Sequence, residues 1–236
     1  IKLKREDIVE KVVGLVNEVR RQMPRLGTRK LQKVLQEDFR QEGLQVGRDK
    51  MFSILREAHL LISPKRRYVQ TTDSRHWMRQ YPNLVQSLEI VRCEQVWVSD
   101  ITYISTDEGF GYLSLVTDAY SKKIMGHAFR RDLTKEGPLE ALAMAIKRRR
   151  YLWEPLIHHS DRGYQYCSRD YVNLLEQNQI RISMTQDGNP YDNAIAERVN
   201  GILKNEFLLE DSFQFFALAA RVIHESITIY KSQRPH

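Results

Sequence analysis

Two aspartates and a glutamate have the residue types and settings for chemistry at phosphorus. Asp100 lies inside the apolar, β-branched run 96–104, and Asp161 ends the run 156–161. Glu197 follows the turn Asp187-Gly188-Asn189-Pro190, with 35 residues intervening after Asp161. A carboxylate in a strand core is costly unless it is paired or holds a cation. Three hard oxygen donors converging from two strands and a helix suit Mg²⁺ or Mn²⁺, which grip phosphate substrates through few protein ligands. Such ions, used in pairs, support in-line displacement at phosphorus.

Other polar residues have plainer uses. Asp107, Glu108, Asp118, Asp132 and Asp187 fall in turns, at strand ends and at caps, Asp118 being nearest to Asp100 in kind. His158 and His159 are neighbours in a strand, so only one of them can face the acids. Arg162, Tyr164 and Gln165 sit in the loop after Asp161, where DNA contact and loop shaping are both open. On the helix of Glu197, Asn193, Asn200, Gly201 and Lys204 share its face by spacing. That stripe predicts a DNA-facing surface with Asn193, Asn200 and Lys204 as contacts.

The elements that must position these groups follow from periodicity. Strands are predicted at 95–104, 111–118 and 123–130, then a helix from 134–138 to Arg150. A strand at 156–160, a helix at 168–178, a strand at 180–184 and helices at 190–209 and 213–230 complete the order. Lys147-Arg148-Arg149-Arg150 closes its helix with charge that complements the helix dipole. This order predicts an α/β fold with the layout of a ribonuclease H-like core, Asp100 and Asp161 meeting near the sheet's centre.

The first 63 residues read differently. Helices are predicted at 6–21, from Thr28 to Gly43, and at about 48–59, a small all-α, helix-turn-helix-like domain. The exposed face of the third offers Arg48, Lys50, Ser53 and Arg56 to a DNA groove. Residues 64–92 read as a basic connector, with Lys65, Arg66 and Arg67 set among aromatics for phosphate and stacking contacts. Residues 93–236 are the expected catalytic core. Residues 1–92 hold 20 Lys/Arg against 11 Asp/Glu, and residues 93–236 hold 17 against 19. The whole excess of the net +7 charge therefore lies in the N-terminal part, as a polyanion-gripping segment requires.

No apolar run approaches the roughly 18 residues of a membrane span, and no signal peptide is visible. The two cysteines, Cys93 and Cys167, form no CxxC pair, which excludes a disulfide scaffold or zinc module and fits a reducing cytoplasm. The chain begins without Met, so a fragment is expected.

The words around the acids are more specific than their spacing. Trp97-Val98-Ser99-Asp100-Ile101-Thr102-Tyr103-Ile104, His158-His159-Ser160-Asp161-Arg162-Gly163 and Gly188-Asn189-Pro190-Tyr191-Asp192-Asn193-Ala194 resemble the OrfB part of bacterial insertion-sequence transposases of the IS-three family. Tyr112-Leu113-Ser114-Leu115-Val116-Thr117-Asp118 and the terminal Arg234-Pro235-His236, a signature here cut short, resemble the same family. The resemblance covers roughly residues 20–236. It implies a ribonuclease H-like integrase core, with a mixed five-stranded sheet flanked by helices, and a DDE triad of Asp100, Asp161 and Glu197. It implies two Mg²⁺ or Mn²⁺ ions, one held by Asp100 and Asp161, the other by Asp100 and Glu197. The implied reaction is cleavage at the element's ends followed by attack of the freed 3′-OH on another strand. Implied partners are the element's terminal repeats, target DNA, further copies of the chain, and OrfA or a fused OrfA segment. The implied location is the bacterial cytoplasm, on the nucleoid. In relatives a lysine seven residues after the glutamate approaches the DNA end, and Lys204 stands there; many also carry lysine at +4, where this chain has Gly201. A ribonuclease H-like nuclease limited to hydrolysis, and a domesticated, non-catalytic DNA-binding protein, are the alternatives.

Overall fold

A computed structural model of the chain describes residues 5–63, 77–186 and 193–235. The chain divides into two compact units. The first holds the N-terminal residues to Arg67 together with Ile202–Leu209 and Ile223–His236; the second holds Tyr68–Gly201 and Glu210–Val222.

In the first unit, α1 (Arg5–Gln22), α2 (Thr28–Val34), α3 (Gln36–Gln41) and α4 (Arg48–Glu57) bury one face each. The helix expected from Thr28 to Gly43 is two helices, because Leu35 takes φ −84° and ψ 4°. Leu35 and Phe39 are both buried, on either side of that bend. Gly43 ends α3 at φ +65°, a conformation that suits glycine, and the Leu44 amide returns to the Phe39 carbonyl at 2.7 Å.

The C-terminal boundary differs from expectation: 93–236 is not one block. Glu206 binds this unit together. Arg234 donates to both of its carboxylate oxygens, at 2.7 and 2.9 Å, and Lys30 Nζ donates at 2.9 Å. The Arg25 amide donates to the Glu206 carbonyl at 3.0 Å. These partners are far apart in sequence, which is why no local pattern announced them.

The second unit is built on a five-stranded sheet of order β3-β2-β1-β4-β5. Its strands are β1 (Val96–Thr106), β2 (Gly109–Asp118), β3 (Ile124–Arg130), β4 (Leu156–Ser160) and β5 (Ile180–Met184). β1, β2 and β3 form an antiparallel meander, while β4 and β5 run parallel to β1. Its helices are α5 (Glu136–Lys147), the short unpredicted α6 (Tyr164–Cys167), α7 (Arg169–Gln177), α8 (Ala194–Glu206) and α9 (Phe216–Ser232). The last two continue into the first unit.

Strand alternation sorts the core into two faces. Trp97 packs with Leu142 of α5 and with Tyr171 and Leu175 of α7. Val96, Val98 and Ile157 pack on the opposite face with Ala196 of α8. α5 lies close on β3 because Gly126 has no side chain; a Cβ there would stand 1.9 Å from the Ala141 carbonyl oxygen.

Residues 77–92 are not a free connector. Met78 and Tyr81 pack against the Trp97 cluster, and Leu84, Val85, Leu88 and Ile90 cover the Val96–Val98 face. The Leu84 amide donates to Ser183 Oγ at 2.8 Å. This stretch is a strap on the sheet, held by apolar burial that its basic and aromatic neighbours obscured. Lys65, Arg66 and Arg67 lie outside the described residues. No helix among the described residues is long and apolar enough to cross a membrane.

Candidate active site

The register of the sheet brings two of the acids abreast. Val96, Trp97 and Val98 pair with Ile157, His158 and His159 in parallel. Two residues further along both strands stand Asp100, still inside β1, and Asp161, the first residue beyond β4. Neighbouring strands lie about 4.8 Å apart, so the two backbones are about that close. Period-two alternation puts Asp100 on the face of Val96 and Val98, and Asp161 on that of Ile157. That is the face against which α8 packs Ala196, and α8 carries Glu197.

Asp100 and Asp161 are half-buried, and Glu197 is exposed. Burial, then the neighbouring Asp161, pushes the Asp100 carboxyl up to about 7. The Ile101 amide at 2.9 Å and the Asn200 side-chain amide at 2.7 Å pull it back, and Glu197 adds a smaller push upwards. Asp161 Oδ1 accepts the Gly163 amide at 2.9 Å. A Cβ on Gly163 would lie 3.0 Å from that oxygen, so the loop wraps the carboxylate closely.

This donor set fits a divalent cation in kind. It offers carboxylate oxygens only, and the two aspartates destabilise each other's charge, which a cation between them would relieve. Among the described residues no three His, Cys, Asp or Glu side chains stand close enough together to hold an ion. Asp100 and Asp161 stand abreast, and Glu197 is near enough to Asp100 to add to the upward push on its carboxyl.

The asparagines expected on a DNA face turn inwards. Asn200 donates to Asp100 Oδ2, and Asn193 donates to the Ser99 carbonyl at 3.1 Å. Both side chains are buried. Spacing put them on the stripe of Glu197, and that stripe turns its buried part to β1. Both are therefore orienting groups for the strand of Asp100 rather than outward-facing contacts. Lys204 lies two turns beyond Glu197 on α8, in the stretch that belongs to the first unit. Arg48, Lys50 and Arg56 are exposed on α4, with Asp49 paired to Arg48 and Glu57 to Arg5.

Both histidines are fully buried and serve the framework. His158 Nε2 lies 2.7 Å from Ser99 Oγ and 2.9 Å from Tyr171 OH, on the face away from the acids. Burial, then His159, pulls it down to about 3, so it stays neutral. His159 Nδ1 lies 2.8 Å from Ser183 Oγ, under the strap. In the loop after Asp161, Tyr164 OH and Gln165 Nε2 both donate to the Leu133 carbonyl, which anchors α6. Asp118 is a turn brace that accepts the Glu94 amide and both the amide and hydroxyl of Ser121.

Three polar groups escaped sequence reasoning. The Ser99–His158–Tyr171 network backs the strands of both aspartates; Ser99 and His158 were legible as flanking residues, but their partnership needed the register. Among the described residues Tyr166 OH has no hydrogen-bond partner, and burial, then Tyr171, Asp161 and Asp100, raises its pKa. Glu94 is a buried carboxylate at a left-handed position, and nothing in its neighbours singled it out.

Known proteins resemble the chain over this site and beyond it. Two models described as Integrase core domain match residues 91–190 and 178–236. The insertion element IS600 uncharacterized 31 kDa protein of Shigella sonnei is 42% identical over 214 residues, which is 89% of this chain and 76% of that protein. The transposase InsF for insertion sequence IS3A of Escherichia coli K12 is 32% identical over 180 residues, 76% of this chain and 62% of that protein. A third relative, the transposase InsF for insertion sequence IS3fB of the same strain, is 40% identical over 119 residues, 50% of this chain and 41% of that protein. The chain thus spans less than two thirds of the length of both E. coli relatives. Among solved structures, a chain of the simian T-cell lymphotropic virus intasome in complex with PP2A regulatory subunit B56 gamma is similar with a TM-score of 0.51. It is 17% identical, and the likeness covers 89% of this chain and 66% of that one. At that identity the likeness bears on the fold, which is that of an integrase core, ribonuclease H-like.

Proposed function

Because the chain belongs to the integrase core family of bacterial insertion-sequence transposases, we propose that it cleaves the ends of an insertion sequence and joins them to target DNA through Asp100, Asp161 and Glu197. The observation that carries this reading is that Asp100 in β1 and Asp161, just beyond the parallel strand β4, stand abreast on the sheet face that α8 covers. When bound, divalent cations, Mg²⁺ or Mn²⁺ and two per site, supply Lewis acidity at the phosphodiester and lower the pKa of the attacking hydroxyl.

The chain's own residues provide the rest. Asp100 and Asp161 are the fixed donors, each held by a backbone amide. Asn200 orients Asp100 and favours its ionised form. Glu197 is exposed on α8, with three rotatable bonds, and would join the two aspartates in holding a cation. Neutral His158 and its hydroxyl partners keep both strands in register without taking part in proton transfer.

DNA is the substrate on this reading, with Arg48, Lys50 and Arg56 of α4 and Lys204 of α8 as contacts to terminal repeats or target. Lys65, Arg66 and Arg67 extend the basic set on charge alone. Strand transfer needs two ends held together, so the working form is a homo-oligomer on DNA, joined by OrfA or an OrfA segment. Its place is the cytoplasm, on the nucleoid.

The test is incubation of the protein with candidate element ends and Mn²⁺, with products mapped to the nucleotide. Nicks at the 3′ ends followed by joined strands support the reading. Hydrolysis without joining would reduce the protein to a nuclease, and neither product would leave only DNA binding.

A further inference from the structure

Loop 148–155 stands at the end of the sheet opposite the acids. It enters β4, and Asp161 leaves it, so about 20 Å of strand separates them at about 3.3 Å per residue. Tyr151, Leu152 and Trp153 are consecutive here and 50%, 62% and 97% exposed. Three large apolar side chains in water on a floppy loop would need no explanation, but this loop is braced. Glu94, 3% exposed, accepts the amides of Arg150 at 2.9 Å and Tyr151 at 2.9 Å. Arg149 Nη2 donates to the Glu154 carbonyl at 2.6 Å, and Arg92 Nη2 donates to the Pro155 carbonyl at 2.7 Å. One buried carboxylate and two partly exposed arginines thus brace a loop that holds apolar side chains outside.

The charge around the loop says what would cover them. Residues 147–154 contain Lys147, Arg148, Arg149 and Arg150 against the single acid Glu154. Complementing the dipole of α5 accounts for basic residues at its end, though not for an aromatic tip beyond it. Basic side chains flanking an exposed aromatic ring are the pairing that holds nucleic acid, phosphates on the cations and a base on the ring.

We propose that loop 148–155, together with Lys147 at the end of α5, is a second DNA contact, separate from the catalytic carboxylates, in which Lys147 and Arg150 neutralise phosphates and Trp153 stacks on a base. It grips DNA away from the scissile bond. The proposal rests on the DNA reading above and is tested by binding, which does not depend on the chemistry. The full chain is titrated over a series of salt concentrations with a fluorescent duplex carrying single-stranded overhangs of arbitrary sequence, because an unpaired base offers its face to a ring. Replacing Lys147→Gln and Arg150→Gln together should lower the slope of log affinity against log salt by about 2, one for each phosphate contact. Trp153→Ala should weaken binding roughly tenfold, and Trp153→Phe, which keeps a ring, much less. All three side chains are exposed, so the variants should fold. An unchanged slope with unchanged affinity overturns the proposal whether or not the protein cleaves DNA. So does an effect of Trp153→Ala confined to the oligomeric state without DNA, measured by light scattering, which would make the loop a contact between copies. Failure of the wild type to cleave, with these binding changes present, would instead count against the catalytic reading.

Discussion

The side-chain amide of Asn200 donates to Asp100 Oδ2 at 2.7 Å, one helical turn beyond Glu197. It is one of two hydrogen bonds that pull the Asp100 carboxyl down against burial and Asp161. Asn200→Ala should therefore push Asp100 further up and move the acidic limb of the cleavage pH profile to higher pH. A shift of one unit would cost roughly tenfold in activity on that limb. Profiles of wild type and variant under the same metal decide it. A limb that stays in place would make Asn200 a packing residue only.

Metal-free stability should fall as pH rises. The folded Asp100 carboxyl is raised from 3.8 to about 7, by burial first and Asp161 second. Between those values the folded protein holds a proton that the unfolded chain has released, so the slope of stability with pH is negative there. The contribution is fully present below the unfolded value and lost through the folded one. Thermal unfolding in the presence of a chelator should show the decline, and Asp100→Asn should flatten it and be the more stable protein above neutrality. Mn²⁺ should raise the melting temperature of the wild type more than that of the variant. An undiminished decline in Asp100→Asn would assign the effect to other groups.

Asp100→Asn, Asp161→Asn and Glu197→Gln should each reduce cleavage and joining by roughly 100-fold or more, since each removes charge where the developing charge must be balanced. Affinity for duplex DNA should remain near that of the wild type, because the basic excess lies in residues 1–92. Gel shifts and product mapping on the same preparations separate the two. Near-normal cleavage by any one of the three would remove that residue from the triad.

Much of the acidic pair was legible because β1 is buried on both faces. Alternation along Val96, Val98 and Asp100 leaves the register little freedom, and a one-residue slip would turn Asp100 to the opposite face. The helix of Glu197 was legible by its period, but the direction of its polar stripe was not. Asn193 and Asn200 share a face with Glu197 whether that face meets DNA or β1, and only the packing of Ala196 decides. The strap was hidden for another reason. Leu84, Val85 and Leu88 have helical spacing, yet no helix forms there and Ile90 falls off the pattern, since an irregular segment buries side chains wherever the sheet has room. Glu206 was hidden by distance along the chain, its partners Lys30 and Arg234 lying 176 and 28 residues away.

That last cluster gives a prediction about stability rather than chemistry. The Arg234 side chain is 3% exposed and meets Glu206, itself 18% exposed, through two hydrogen bonds; its guanidinium also lies 5.5 Å from the Tyr230 ring centroid. Truncating one partner of a buried pair leaves the other charged and without its main donor, at a cost of about 3 kcal/mol. Lys30 remains beside Glu206 and offsets part of this. Arg234→Ala should therefore destabilise the unit that contains α1–α4 by about 2 kcal/mol, with Arg234→Lys intermediate because lysine cannot donate in the same fork. The Asp100–Asp161 pair belongs to the other unit, so Mn²⁺ affinity should be little changed. Urea unfolding followed by helical signal, run beside a Mn²⁺ titration, measures both. A loss below about 0.5 kcal/mol, the range of an exposed pair, would mean that Arg234 is not the residue that closes this unit.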